Sequence, residues 1–237
     1  MEDSINKPWR TMPAKRMSQD QATGLMYLFY ALAVYTSSRV GGLGQCLTLI
    51  FLGYWYNIGG GGDTSSVVRN FINGLGFICY TSGALQLELS PSEWQLFIDP
   101  NEVGLQWLGI IGAIVFTTVQ LQDFYDQAGD SARDRKTLPL VIGDKPARYI
   151  TAACMVIWGL FTPWYWGFAS GGMSFAVLRG FAMYLAALAW IISVRILIFR
   201  SVRADRLTFV LWNVWLVSQY ALPLCAKLSQ TRPGKAC

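Results

Sequence analysis

Residues 103–139 read VGLQWLGIIGAIVFTTVQLQDFYDQAGDSARDRKTLP. The stretch 103–122 carries no charge and is about as long as the ~20 residues a bilayer core requires. It runs straight into Asp123, Asp126 and Asp130, then into Arg133, Arg135 and Lys136. On a helix turning ~100° per residue, acids spaced three and four apart stay within one narrow face. Like charges that close raise one another's pKa unless a cation or a set of donors holds them ionised. Ligands that offer only oxygen suit Mg2+, which commonly takes one or two carboxylates plus the phosphates of a substrate. The bases that follow supply positive charge for an anionic leaving group.

Working outward, the rest of the chain has the same character. Its 237 residues are 53% hydrophobic and 14% charged, with mean hydropathy +0.35, too apolar for an ordinary soluble domain. Further charge-free runs cover 21–38, 40–62, 70–87, 149–178 and 207–226; another, 180–199, is interrupted by Arg195, expected to snorkel toward headgroups. This predicts an all-α, polytopic transmembrane bundle of about seven helices, one integral-membrane domain over 1–237. No short hydrophobic stretch with a small-residue cleavage site opens the sequence, so no signal peptide is expected.

Charge asymmetry orients the bundle. Segments 1–20, 58–66, 123–148 and 200–206 fall on one side and hold Lys7, Arg10, Lys15, Arg16, Arg133, Arg135, Lys136, Lys145, Arg148, Arg200, Arg203 and Arg206. The other side has Arg39 and the tail bases Lys227, Arg232 and Lys235, while its loop 88–102 is acidic and its Ser90–Glu102 stretch is expected to lie along the interface. By the positive-inside rule, the polar loops 1–17 and 123–148 are expected in the cytosol.

The net charge of +5 is thus a topology signal, and no basic stripe with interleaved aromatics points to nucleic acid. Histidine is absent and the five cysteines lack paired spacing, which argues against zinc and against Ser-His or Cys-His catalysis. The run Gly59–Gly62 before Asp63 lacks the Lys-Ser/Thr continuation of a phosphate loop and reads as a flexible turn. Glu2–Ser18, EDSINKPWRTMPAKRMS, is the second informative segment. It shares a side with the aspartate loop, so the two are expected to close over one cavity.

Asn6–Ser18, NKPWRTMPAKRMS, and Gln122–Pro139, QDFYDQAGDSARDRKTLP, together resemble two motifs of the UbiA superfamily of intramembrane prenyltransferases, including its terpene cyclase branch. The resemblance implies Mg2+ on Asp123, Asp126 and Asp130, with Asp3 aligned to the last acid of the family's first Asp-rich motif. It implies an isoprenoid diphosphate held by Lys7, Arg10, Arg133 and Lys136, and catalytic roles for Asp126, Asp130 and Lys136. Prenyl transfer to an aromatic or lipid acceptor is the leading expectation and cyclisation the alternative; an inactive homologue and a transporter are the competing readings. Phe77, Tyr80, Trp107 and Phe116 are candidates to face an allylic cation. Partners are membrane lipids, with no nucleic acid, and the expected location is an internal eukaryotic membrane.

Departures from the family pattern are Thr11, Met12, Lys15 and Asp134, the last two where the family often has Gly. The family fold has nine helices, so seven imply that the first two, with most of the first Asp-rich motif, are absent and that these 237 residues are weakly active or inactive.

Overall fold

The computed structural model describes residues 2–89, 91, 94, 95, 98, 99, 103–169 and 175–223, and every regular element among them is helical. The short helices are α1 (Glu2–Asn6), α6 (Gln127–Ala132) and α7 (Leu138–Ile142). The long ones are α2 (Gln19–Val40), α3 (Leu43–Asn57), α4 (Ser66–Glu88), α5 (Val103–Thr118), α8 (Asp144–Ala169), α9 (Phe175–Ile198) and α10 (Val202–Tyr220). They fall on the seven apolar runs. A 3-10 turn, Val119–Asp123, follows α5. Much of the acidic loop 88–102, with Glu93 and Glu102, and the tail bases beyond 223 lie outside the described residues.

Several helices begin before the charge-free runs do, because their first turns are capped and charged. Ser18 and Gln21 form a capping box on α2, and Ser201 accepts from Ala204 N–H at 3.2 Å to start α10. α8 starts at Asp144, so Arg148 is helical rather than part of a loop. Within the described residues, the stretches Gly104–Asp123 and Arg179–Ile198 are long and apolar enough to cross a membrane by length and composition. Elsewhere the outer surface is just as telling. α2 buries none of its residues, and Phe29, Leu32, Ile157, Leu160, Trp164 and Trp190 all stand exposed. Water disfavours such a surface and hydrocarbon solvates it.

The chain forms two compact units. The first comprises residues 1–119 and 126–141. Here α2 packs on α3, α3 on α4, α4 on α5, and α1 on α6. The α4–α5 crossing is close because Gly74 and Gly112 face each other: a Cβ on Gly74 would come within 2.9 Å of the Gly112 carbonyl. Asn70 bolts the same crossing by donating to the Phe116 carbonyl at 3.0 Å.

The second unit comprises 120–125 and 142–237. α9 packs against both α8 and α10, around buried Met155, Leu185, Ile192, Ile196, Trp212 and Trp215. Ser193 ties α9 to α8 through the Ala152 carbonyl at 3.1 Å, and Trp215 ties α10 to α9 through the Leu185 carbonyl at 3.1 Å. Arg195 donates to Thr208 Oγ1 at 3.2 Å and to the Ala204 carbonyl at 3.3 Å, both on α10.

Candidate functional site

The polar end of the first unit brings together three stretches that are far apart in sequence. α1 delivers Asn6, whose carboxamide donates to the Asp126 carbonyl at 2.9 Å and accepts from Gly129 N–H at 3.1 Å. This two-point clamp requires glycine at 129, since a Cβ there would overlap the Asn6 carboxamide. Next to it, Lys7 Nζ donates to Asp126 Oδ2 at 2.6 Å, a charge-assisted bond between side chains that are 18% and 11% exposed. The two motifs read from sequence are therefore in contact.

The third stretch is the glycine run. It is a turn, but a packed one rather than a flexible one: Gly61 and Gly62 are buried, and a Cβ on either would strike Ile72 and Trp55 or Tyr56. Packing presents Asp63 to the basic loop. Its Oδ1 accepts from Arg135 Nε at 2.8 Å and its Oδ2 from Arg133 Nη2 at 2.9 Å, while its carbonyl accepts from Lys136 N–H at 2.7 Å. Burial raises the Asp63 pKa, but the hydrogen bonds from Arg135 and Arg133 outweigh it and hold the carboxyl below the ordinary carboxylate range. Arg135 also reaches Asp130 Oδ1 at 3.3 Å.

The expected site residues divide as follows. Lys7, Asp126, Asp130 and Arg133 belong to this connected set. Arg10 Nη1 instead donates to both oxygens of Asp3, at 3.0 and 3.1 Å, and Lys136 Nζ donates to exposed Asp134 at 3.0 Å. Asp123, 1% exposed, falls with the segment 120–125 in the second unit. Among the described residues, no group of three or more acids or cysteines is gathered as a metal cage. Tyr80 borders a groove of about 550 Å³ between α2, α3 and α4, Phe116 a cavity of about 230 Å³ at the α4–α5 crossing, and Trp107 is buried.

Magnesium is tested by the donors themselves. Asp126 is 8% exposed, and its Oδ1 has no hydrogen-bond donor although its Oδ2 is paired. A buried carboxylate oxygen left without a donor is uncommon. It is the type of ligand a hard divalent cation takes, so the residues present fit Mg2+ at Asp126, with Asp130 one turn further on.

Sequence reasoning passed over Asn6 as a site residue, and Asp63, Gly129 and Arg135 with it. Asn6 opens the quoted NKP motif, and Asp63 was placed on the same side as the arginines it binds; these were the available signals. The two departures from family glycine are also explained. Lys15 and Asp134 have φ of 55° and 57°, the left-handed region that glycine enters most easily.

Comparison with known proteins places these features in a wider group. A model of the UbiA prenyltransferase family matches residues 1–216. The chain is 33% identical over 171 residues to the fumagillin beta-trans-bergamotene synthase of Aspergillus fumigatus, covering 69% of this chain and 55% of that one. It is 26% identical over 234 residues to the somaliensene A/B synthase of Streptomyces somaliensis, covering 98% and 72%. With the digeranylgeranylglyceryl phosphate synthase of Methanobrevibacter smithii it shares 26% identity over 170 residues, 65% and 54% of the two chains. The matched region thus spans about half the length of the first and third of these relatives. No solved structure matches the chain.

Proposed function

Because the chain belongs to the UbiA prenyltransferase family, a family of membrane-integral proteins, we propose that the polar end of its first unit binds and ionises an isoprenoid diphosphate. The observation that carries this reading is the Asn6 clamp, which fastens the NKP segment to the aspartate motif at Asp126 and Gly129. It brings acids and bases from two distant segments into one place.

Ionisation breaks the bond between the allylic carbon and the diphosphate oxygen. The electron pair leaves with the diphosphate, and an allylic cation remains. Mg2+ held by Asp126 and Asp130 would neutralise the charge growing on the diphosphate, and Asp123 is the motif's remaining candidate ligand. The chain's own bases act on the same charge. Lys7, Arg10, Arg133 and Lys136 each rest against a carboxylate in this structure. Each is poised to exchange that partner for a phosphate oxygen, and Arg135 and Asp63 keep the basic loop in register while they do.

The fate of the cation distinguishes two reactions. Likeness to two synthases named for bergamotene and somaliensenes favours capture by the substrate's own double bond, which is cyclisation. Likeness to a digeranylgeranylglyceryl phosphate synthase favours the second reading, transfer to a lipid acceptor.

The test is turnover of farnesyl and geranylgeranyl diphosphate in membranes carrying the protein, with and without a lipid or aromatic acceptor. Asp126→Ala and Asp130→Ala should abolish diphosphate release at near-normal protein abundance. Retained release would end the assignment. A labelled product that appears only with the acceptor identifies transfer, and one that appears without it identifies cyclisation.

A further inference from the structure

The second unit holds a buried charge that the proposed reaction does not use. Arg148 is 2% exposed, as is Asp205 of α10. Two parallel bonds join them, Nη1 to Oδ1 at 2.8 Å and Nη2 to Oδ2 at 2.8 Å. Arg148 Nε donates to both oxygens of Asp144 at 2.9 Å, and Nη1 also reaches the Ile196 carbonyl at 3.1 Å. With its edges held in this way, the guanidinium sits over the ring of Phe124, its central carbon 4.5 Å from the centroid.

Phe124 directly follows Asp123 in the aspartate motif. Two other residues of its segment are anchored to the same helices: Gln120 Nε2 donates to Thr151 Oγ1 at 3.0 Å, and Tyr125 lies 5.8 Å from the Phe209 ring and 5.7 Å from the Arg206 guanidinium. The segment ends a 3-10 turn, whose hydrogen bonds are poorer than those of an α-helix and which therefore gains from outside support. An apolar side chain could fill the same volume without the desolvation penalty of a buried ion pair. What it lacks is a flat cation whose plane is fixed by three hydrogen-bonded edges.

We infer that Arg148, oriented by Asp205 and Asp144, is a positioning residue for Asp123: it holds the Phe124 ring, and with it the turn that aims the motif's first carboxylate. This rests on the proposed diphosphate chemistry for its consequence, but its physical content is the order of residues 120–125. Lysine in place of Arg148 keeps the charge and loses both the fork and the flat face.

The experiment compares Arg148→Lys, Phe124→Leu and the double variant in lipid nanodiscs. Amide hydrogen exchange is expected to rise across 120–125 in each, with α9 and α10 keeping their protection. The Mg2+ concentration for half-maximal diphosphate release is expected to rise about 10-fold, the lower end of what loss of a residue supporting a metal ligand costs. The double variant should be no worse than the stronger single one, because both act through one contact. Unchanged exchange at 120–125, uniform loosening of α8–α10, or additive effects would each overturn the inference. If Arg148→Lys fails to accumulate, Phe124→Leu decides alone on the same readouts. Failure of the catalytic reading is distinguishable, because it shows as full activity in Asp126→Ala whatever the exchange pattern at 120–125.

Discussion

The two halves of the aspartate motif are held by opposite means. The ion pairs beside Asp126 and on the basic loop reach toward water: the Lys7 and Asp126 side chains are 18% and 11% exposed and those of Arg133 and Asp63 40% and 26%, although Asp130 itself is buried. Residues 120–125 lean on a pair that does not, with the Arg148 and Asp205 side chains only 2% and 3% exposed. Wet pairs contribute roughly 0–1 kcal/mol and exchange partners readily. Dry pairs, once formed, are expensive to break. The proposed ionisation, which hands cations from carboxylates to a diphosphate, needs the first kind at the handover. It needs the second kind wherever geometry has to survive that exchange.

The strongest way to break this contrast is Asp205→Ala, which strips the fork from a buried guanidinium. Loss of one partner of a buried pair costs about 3–5 kcal/mol, so the unfolding midpoint in detergent should fall steeply. An unshifted midpoint would show that the buried pair is no more rigid than the exposed ones. Asn6→Ala and Gly129→Ala attack the wet half. One deletes the clamp and the other displaces it, at about 1–3 kcal/mol for the buried groups left unmet. Both should expose 1–17 to protease while hydrogen exchange within α8–α10 stays as it was; resistance at 1–17 would show that other contacts dock the segment.

Smaller still is Lys15→Gly. Relief of a left-handed backbone should raise stability by about 1 kcal/mol, and a lowered midpoint would contradict the strain argument. The pH response of Asp63 sharpens the comparison furthest. Its folded pKa lies below the unfolded value of about 3.9, so its contribution is present above that pH and is lost as pH falls through the depressed folded value. Protection of the Lys136 amide, which donates to the Asp63 carbonyl, should therefore hold from pH 7 to about 4 and decline below. Decline already between pH 7 and 5 would mean another group controls the loop.

The long helices were legible because each is an uncharged run of membrane length, and composition carries that signal without tertiary information. Their starts were not, since Ser18 and Ser201 cap helices whose first turns hold Asp20, Arg203 and Asp205. Counting only uncharged residues trims such turns and turned Arg148 into a loop residue. Asp126, Asp130, Lys7 and Arg133 could be proposed as site members because their residue types and spacing match the chemistry. Asp63 could not, since its role depends on a glycine turn packing tightly enough to aim one carboxylate at two arginines.

From its order of residues alone, this protein is a helical membrane chain with an acidic motif followed by bases and a second polar, basic segment over Glu2–Ser18. Those properties follow from hydropathy, periodicity and charge, which are local. The tertiary structure decided which carboxylate meets which base: Lys7 with Asp126, Asp63 with Arg133 and Arg135, Asp205 with Arg148. These partners lie about 60 to 120 residues apart in sequence, and no local rule of the chain encodes such pairings. They form only when segments distant in sequence are packed together, as the tight glycine turn does in presenting Asp63 to Arg133 and Arg135, because side-chain ion pairs need approach to within about 4 Å.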